Sequence, residues 1–183
     1  MPSTLFSDRG IDGHSPYKRG DWVKIAIHTD AEIRGFFGPY RFLSNIEPCR
    51  ISYQGLVYPA SENAYKATRA LPEFRDRFTS CSPLEAIRLG DNLPRLSDKD
   101  WREKRLAVMS EVLLIKFSEN PSLAQRLLAT ADAHLEERLW WRDTFWGYDI
   151  NLKRGENNLG RILMEVRTRL REDLSLLMAP KDA

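Results

Sequence analysis

The sequence predicts an α+β fold, predominantly α-helical, organised as one domain with a small β-sheet. Three features predict it. Strand-like alternation and a hairpin signal are confined to the first third of the chain. From Ser61 onward, apolar residues recur at helical spacing behind capping residues. The 183 residues contain no linker-like stretch that would divide them between two cores.

In chain order, residues 1–20 are rich in Gly, Ser, Pro and charge and read as a loose arm before a domain of residues 21–178. Trp22 to His28 alternates weakly and reads as a strand. Gly35 to Asn45 is a loop dense in Gly, Pro and aromatics. Gln54-Gly55, between Cys49–Tyr53 and Leu56–Tyr58, marks a hairpin. Ser61 is placed to cap a helix through Arg69 that ends at Pro72. Ser82-Pro-Leu-Glu85 is a capping box with proline at the first helical position, and Gly90 is the expected end of that helix. Ser97 precedes a long helix from Asp98 to Phe117, with Leu106, Met109, Leu113 and Phe117 in one stripe. Asn120-Pro121 opens another helix. A last one begins near Asn158, burying Leu159, Ile162, Leu163, Val166, Leu170 and Leu174 and leaving its arginines mostly outside. The aromatic, Gly- and Asn-rich stretch from Leu139 to Gly160 reads as a site-building loop on this scaffold.

Composition narrows the function. With 42% hydrophobic and 30% charged residues, the balance is that of a globular protein. No apolar run approaches the ~18 residues of a membrane helix, and no secretory signal is expected. Cys49 and Cys81 lie far apart, as expected of reduced thiols in a cytoplasmic protein. His14, His28 and His134 have no partner at metal spacing, so no metal is expected. Neither phosphate-loop nor dinucleotide-binding glycine patterns occur. Net charge is +2, but Lys153, Arg154, Arg161, Arg167, Arg169 and Arg171 cluster against only Glu156 and Glu165. Such a cluster suits phosphate, or is simply a solvated helix face.

What remains is carboxylates and amides beside aromatics. Glu62, Tyr65, Lys66 and Arg69 share one helix face, which is either a surface face with a Glu62–Lys66 pair or a site. Asp143 precedes Trp146-Gly147 and suits a turn; Asn157 and Asn158 suit a helix cap.

Five segments occur in order: Tyr40-Arg-Phe-Leu-Ser-Asn45, Tyr58-Pro-Ala-Ser-Glu-Asn-Ala-Tyr-Lys-Ala67, Asp143-Thr-Phe-Trp-Gly147, Gly155-Glu-Asn-Asn-Leu-Gly160 and Leu163-Met-Glu-Val-Arg167. Together they resemble the signature blocks of the NADAR family, over about Gly35 to Arg171. The resemblance implies a compact helix-rich single-domain fold, no metal or organic cofactor, and hydrolysis of N-glycosidic bonds. It maps Ser44 and Asn45 onto the family's Ser-Asn pair, Glu62 onto its helix glutamate and Tyr65 onto an aromatic of that helix. Asp143, Trp146 and Gly147 fall on its Asp-x-x-Trp-Gly block, and Asn157 on its Gly-x-Asn-x-Leu-Gly asparagine. Two departures stand out. Asn63 replaces a common histidine, and Lys66-Ala-Thr-Arg69 replaces Gln-Ala-x-Lys.

Cleaving a ribose–nitrogen bond builds positive charge at C1′, which a carboxylate stabilises while another group helps the nitrogen leave. Glu62 and Asp143 are the expected carboxylates. Lys66, or Lys24, is the expected amine if the reaction instead runs through a Schiff base. Arg41 and Arg69 suit a pyrophosphate, Trp101 and Trp146 a stacked base, and Ser44, Asn45 and Asn157 ribose hydroxyls. The resemblance implies two substrate classes. One is ADP-ribosylated guanine in nucleic acid, with a DNA ADP-ribosylating toxin as genetic partner; the other is an early riboflavin-pathway intermediate. The basic stretch near the C-terminus and the absence of a fused deaminase favour the first. Asn63 raises a third reading, a module that binds ADP-ribose without cutting it.

Overall fold

The computed structural model describes residues 22–178, so the expected arm at 1–20 lies outside the described residues. The architecture is α+β and mostly helical. Helix α1 (Trp22–Ile25) and strand β1 (Ile27–His28) occupy the segment expected as one strand. Strand β2 is Glu32–Arg34, and a 3-10 turn at Gly38–Leu43 lies within the expected loop. Strands β3 (Ile51–Tyr53) and β4 (Leu56–Tyr58) form the expected hairpin, with both Gln54 and Gly55 at positive φ, as a tight right-twisted turn requires.

Helix α2 (Ser61–Arg69) starts without the expected Ser61 cap. Ala60 is the capping residue, and the Ser61 hydroxyl is buried with no hydrogen-bond partner. The orphan Glu62 N–H at this helix end donates to the Asn45 carbonyl at 3.0 Å instead. The helix ends at Arg69, and Pro72 opens a 3-10 segment, Pro72–Phe78. Helix α3 (Pro83–Asn92) has the full capping box but runs past Gly90, which packs against the stem of Lys66 rather than ending the helix. Helix α4 (Asp98–Glu119) is capped by Ser97. Its buried face holds Trp101, Val108, Met109, Val112, Leu113, Lys116 and Phe117; Leu106, expected in the stripe, is exposed.

Helix α5 (Pro121–Leu128) leads into three short strands, β5 (His134–Glu136), β6 (Arg138–Leu139) and β7 (Tyr148–Asp149). The main sheet therefore draws on more than the first third of the chain. Its order is β1-β2-β5, antiparallel then parallel, and β6 pairs with β7 separately. The later strands are only two or three residues long, too short for alternation to show in the sequence.

Helix α6 (Asn158–Met178) buries Leu159, Ile162, Leu163 and Val166 against α4 and β5. Leu174 is exposed, contrary to expectation. Arg167 departs the other way. It is buried, and its guanidinium donates to Thr130 Oγ1 at 2.7 Å and the Ala133 carbonyl at 3.0 Å. Arg171 pairs with Asp132 at 2.7 Å. These arginines fasten the turn between α5 and β5, where buried polar groups need partners. No described helix is long and apolar enough to cross a membrane.

Candidate active site

Glu62 and Lys66, one turn apart on α2, both line a cavity of ≈ 270 Å³ beside Tyr65. The opposite face of α2 packs inward through Asn63, Ala64 and Ala67. The Asn63 amide donates to the carbonyls of Phe78 and Cys81, each at 2.9 Å, and so ties α2 to the segment before α3. The departure at this position is therefore structural and lies behind the site.

The second wall is the Ser44–Asn45 corner. Lys116, buried in the core of α4, donates to the Ser44 carbonyl at 2.8 Å, and burial lowers its pKa to about 8. Asn45 Nδ2 rests on Met109 Sδ, while Asn45 Oδ1 is buried with no protein partner. Asn45 lines the cavity, with this orphan oxygen shielded inside its wall. Arg41, half exposed and 3.4 Å from Glu47, also lines the cavity.

The third wall comes from residues 137–146. Asp143 Oδ1 accepts the N–H groups of Phe145 and Trp146 at 3.1 and 2.9 Å. Asp143 is thus the turn residue its position suggests and a cavity residue too. Trp146 and Trp141 are the indole walls, and Trp146 meets Tyr65 edge-on with centroids 5.5 Å apart. Glu137, Arg138 and Trp141 line the same cavity and were not singled out by sequence reasoning. The only sign of Glu137 in the sequence is a pair of glutamates running into the aromatic loop.

Two residues expected at the substrate stand behind this wall. Asn157, buried and at positive φ, accepts the Glu137 N–H at 3.0 Å and donates to the Leu135 carbonyl at 2.9 Å. Its amide is spent on β5 and the residue after it, so it fixes Glu137 rather than binding ribose. Gly147 does not line the cavity either. A Cβ there would collide with the Glu137 carbonyl and Leu139, so its role is close packing. The start of α6 closes the clasp: Asn158 N–H and Nδ2 both donate to the Phe145 carbonyl, and Leu159 N–H donates to that of Trp146.

The cavity gathers three carboxyl groups, Glu62, Glu137 and Asp143. Burial, then the charges of Asp143 and Glu62, push Glu137 up to about 8. Burial also raises Glu62; the nearby Lys66 ammonium opposes that rise, and Asp143 and Asp91 add to it. Like charges crowded in a poorly solvated space cannot all ionise, so a proton is held on one of them at neutral pH. The Tyr65 phenol is raised by burial and by Glu62. Lys66 forms an ion pair with Asp91 at 3.7 Å; no Glu62–Lys66 ion pair is present among the described residues.

A second recess shares Tyr65, Lys66 and Trp146 with the first and is completed by Arg69, Asp98, Trp101, Arg102 and Arg105. Arg69 and Trp101 lie here and not in the main cavity. Trp101 is buried against Tyr65, with centroids 4.9 Å apart.

Residues 28–171 match the model of the NADAR domain. The chain belongs to the NADAR family. Among its NADAR relatives, riboflavin biosynthesis protein VVA0006 of Vibrio vulnificus is 38% identical over 135 residues, covering 72% of this chain but only 36% of that protein. N-glycosidase YbiA of Shigella boydii is 36% identical over 133 residues, covering 72% of this chain and 82% of YbiA. The NMR structure of Escherichia coli YbiA superposes with a TM-score of 0.71 at 30% identity, over 82% of this chain and 90% of that one. The helix-rich α+β NADAR fold expected from the sequence is the fold observed.

Proposed function

We propose that the protein is a hydrolase of N-glycosidic bonds, cleaving a ribose–nitrogen bond in the Glu62–Glu137–Asp143 cavity. The observation that carries this is the convergence of three carboxyl groups, from α2 and the 137–146 segment, on one small space walled by indoles. The names of the family relatives support the reaction class.

The roles follow from the environments. As the C1′–N bond lengthens, positive charge spreads over C1′ and the ring oxygen, and Asp143, held by two backbone N–H groups, faces that charge. Glu62 takes a proton from water as the water oxygen bonds to C1′. Glu137, protonated at neutral pH, gives its proton to the departing nitrogen. The bond broken is C1′–N, the bond formed is C1′–O, and one proton enters and one leaves the carboxyl set. Ser44 and Asn45 bind ribose hydroxyls, and Arg41 and Arg138 suit a phosphate on the ribose. Lys66 serves as a cation at the wall, engaged with Asp91. A Schiff-base route through Lys66 predicts a covalent adduct with substrate under borohydride, and direct hydrolysis predicts none.

For the substrate, the first reading is ADP-ribosylated guanine in nucleic acid, supported by the arginine-lined recess beside the cavity. Of the basic C-terminal stretch, Arg167 is buried and Arg171 is paired with Asp132, which leaves Lys153, Arg154, Arg161 and Arg169 exposed to support it. The second reading, a riboflavin-pathway intermediate, is favoured by the names of relatives in Vibrio vulnificus and Zea mays. A reader of ADP-ribose loses its motive, since Asn63 points away from the cavity. The test offers the enzyme a guanine-ADP-ribosylated oligonucleotide and the phosphoribosylated pyrimidine in separate reactions and identifies the ribosyl product. Release from the oligonucleotide supports the first reading; release from the pyrimidine alone replaces it with the second; binding without release of either rejects hydrolysis.

A further inference from the structure

Trp141 and Asp143 both line the cavity, and the residue between them is held in an unfavourable conformation. Arg142 has a φ of 65°, in the left-handed region that disfavours side chains other than glycine. Its N–H donates to Asp149 Oδ2 at 2.8 Å. Asp149, the second residue of β7, is fully buried. Its Oδ1 accepts the N–H groups of Asn151 and Leu152 at 2.9 and 2.8 Å and closes the turn that follows. Oδ2 takes no part in that turn and reaches back seven residues to Arg142.

The same turn holds the chain on the other side of Trp141. Asn151 Nδ2 donates to the Trp140 carbonyl at 3.3 Å, and Ile150 N–H to the Leu139 carbonyl at 3.0 Å. Trp141 is thus flanked by anchors at residues 140 and 142, both originating in the Asp149 turn. The far end of the stretch is tied separately, by Asn158 and Leu159 on the carbonyls of Phe145 and Trp146. The turn alone needs one acceptor oxygen, which an asparagine supplies without burying a charge. The second oxygen is what a carboxylate adds, and it ends on the strained residue beside Asp143.

We propose that Asp149 is a positioning residue for the cavity: by holding Arg142 left-handed, it aims the Asp143 carboxyl and the Trp141 indole at the substrate space. The role of Asp149 rests on the reading of this cavity as the reaction site.

The test is Asp149→Asn in the intact protein. The new side chain keeps its oxygen for the Asn151 and Leu152 N–H groups, which turns its NH2 toward the Arg142 N–H, donor against donor. Arg142 is then released selectively. The first readout needs no substrate. After burial, the charges of Asp143 and Glu62 hold Glu137 up at about 8, with Lys66, Arg41 and Arg138 as cations on the same wall. An Asp143 carboxyl that drifts away repels the charged Glu137 less. Infrared titration follows the protonated-carboxyl band that Glu137→Gln abolishes. In Asp149→Asn its midpoint should fall by roughly half a unit or more. Adding Arg142→Gly, at an exposed position, makes the positive φ free of strain and should recover part of that fall. An unchanged midpoint in folded Asp149→Asn overturns the proposal, whatever the loss of stability, and so does a fall that Arg142→Gly leaves in full. If Asp149→Asn alone does not fold, the double variant is read instead. A folded double variant with a midpoint below wild type supports the proposal; an unfolded one, or a wild-type midpoint, overturns it. Where an N-glycoside is cleaved, kcat of Asp149→Asn should fall on the order of 10²-fold, the scale of a ~1 Å misplacement, with KM changed far less. A lowered midpoint with no N-glycoside cleaved by wild type keeps the positioning of Asp143 and rejects the hydrolase, whereas cleavage with an unchanged midpoint does the reverse.

Discussion

Helices α2 and α6 both carry blocks of the NADAR signature, and they use them in opposite ways. Glu62 and Lys66 of α2 face an accessible cavity, and burial leaves Glu62 reluctant to ionise. The block at the start of α6 spends its polar groups on backbone: Asn157 on Leu135 and Glu137, Asn158 on Phe145. Deeper in α6, Arg167 is likewise spent inside the fold, on the Thr130 hydroxyl and the Ala133 carbonyl. One block lines the cavity and the other clamps the loop that forms the rest of its wall. Signature residues are thus of two kinds, separated by whether their polar atoms end on the protein or on open space.

Substitutions sharpen this division. The largest effect is expected at α2. Glu62→Gln removes the proposed base and should lower kcat about 10²–10⁴-fold while thermal unfolding stays at or above the wild-type temperature, since a buried charge is lost. Near-wild-type turnover in that variant would place the base elsewhere. Asn157→Ala should act through the fold. It leaves a buried N–H and a buried carbonyl unpaired, at about 1–3 kcal/mol for each stranded group, and a denaturant titration measures it; unchanged stability would break the comparison. The smallest effect on turnover is expected at Asn63, where Asn63→Ala strands the Phe78 and Cys81 carbonyls, at about 1–3 kcal/mol of stability for each, and leaves kcat untouched. A large kcat loss there, with stability intact, would return Asn63 to the site.

Much of this was legible in the sequence, for identifiable reasons. The capping box at Ser82 and the Gln54-Gly55 turn are local chemistry, and both formed as expected. Glu62, Lys66 and Asp143 share a cavity because long-range packing brings α2 to the 137–146 loop, a meeting that only the ordered family blocks foreshadow. Glu137 was hidden because its role depends on burial and on Glu62, far away in sequence, as well as on nearby Asp143. Ser61 misled because the Asn45 carbonyl replaced its cap, and Arg167 because a helix-face pattern cannot show that a turn 34 residues earlier needs a donor.

Stability should report the same crowding. Glu137 holds its proton in the fold up to about pH 8 but ionises near 4.5 when unfolded. Its contribution is therefore fully present below about pH 4.5 and lost as pH rises through about 8. Glu137→Gln should flatten that decline in pH-dependent denaturation; an unchanged slope would mean the carboxyl is well solvated.

Under the proposed function, the cavity keeps Glu137 protonated to serve the leaving nitrogen. The most direct measurement is the pH dependence of kcat/KM for wild type and Glu137→Gln, on whichever substrate is cleaved. Wild-type kcat/KM is expected to fall as pH rises through about 8, and Glu137→Gln to be much slower and lack that alkaline limb. An alkaline limb that survives in Glu137→Gln, or a variant as fast as wild type, would contradict it.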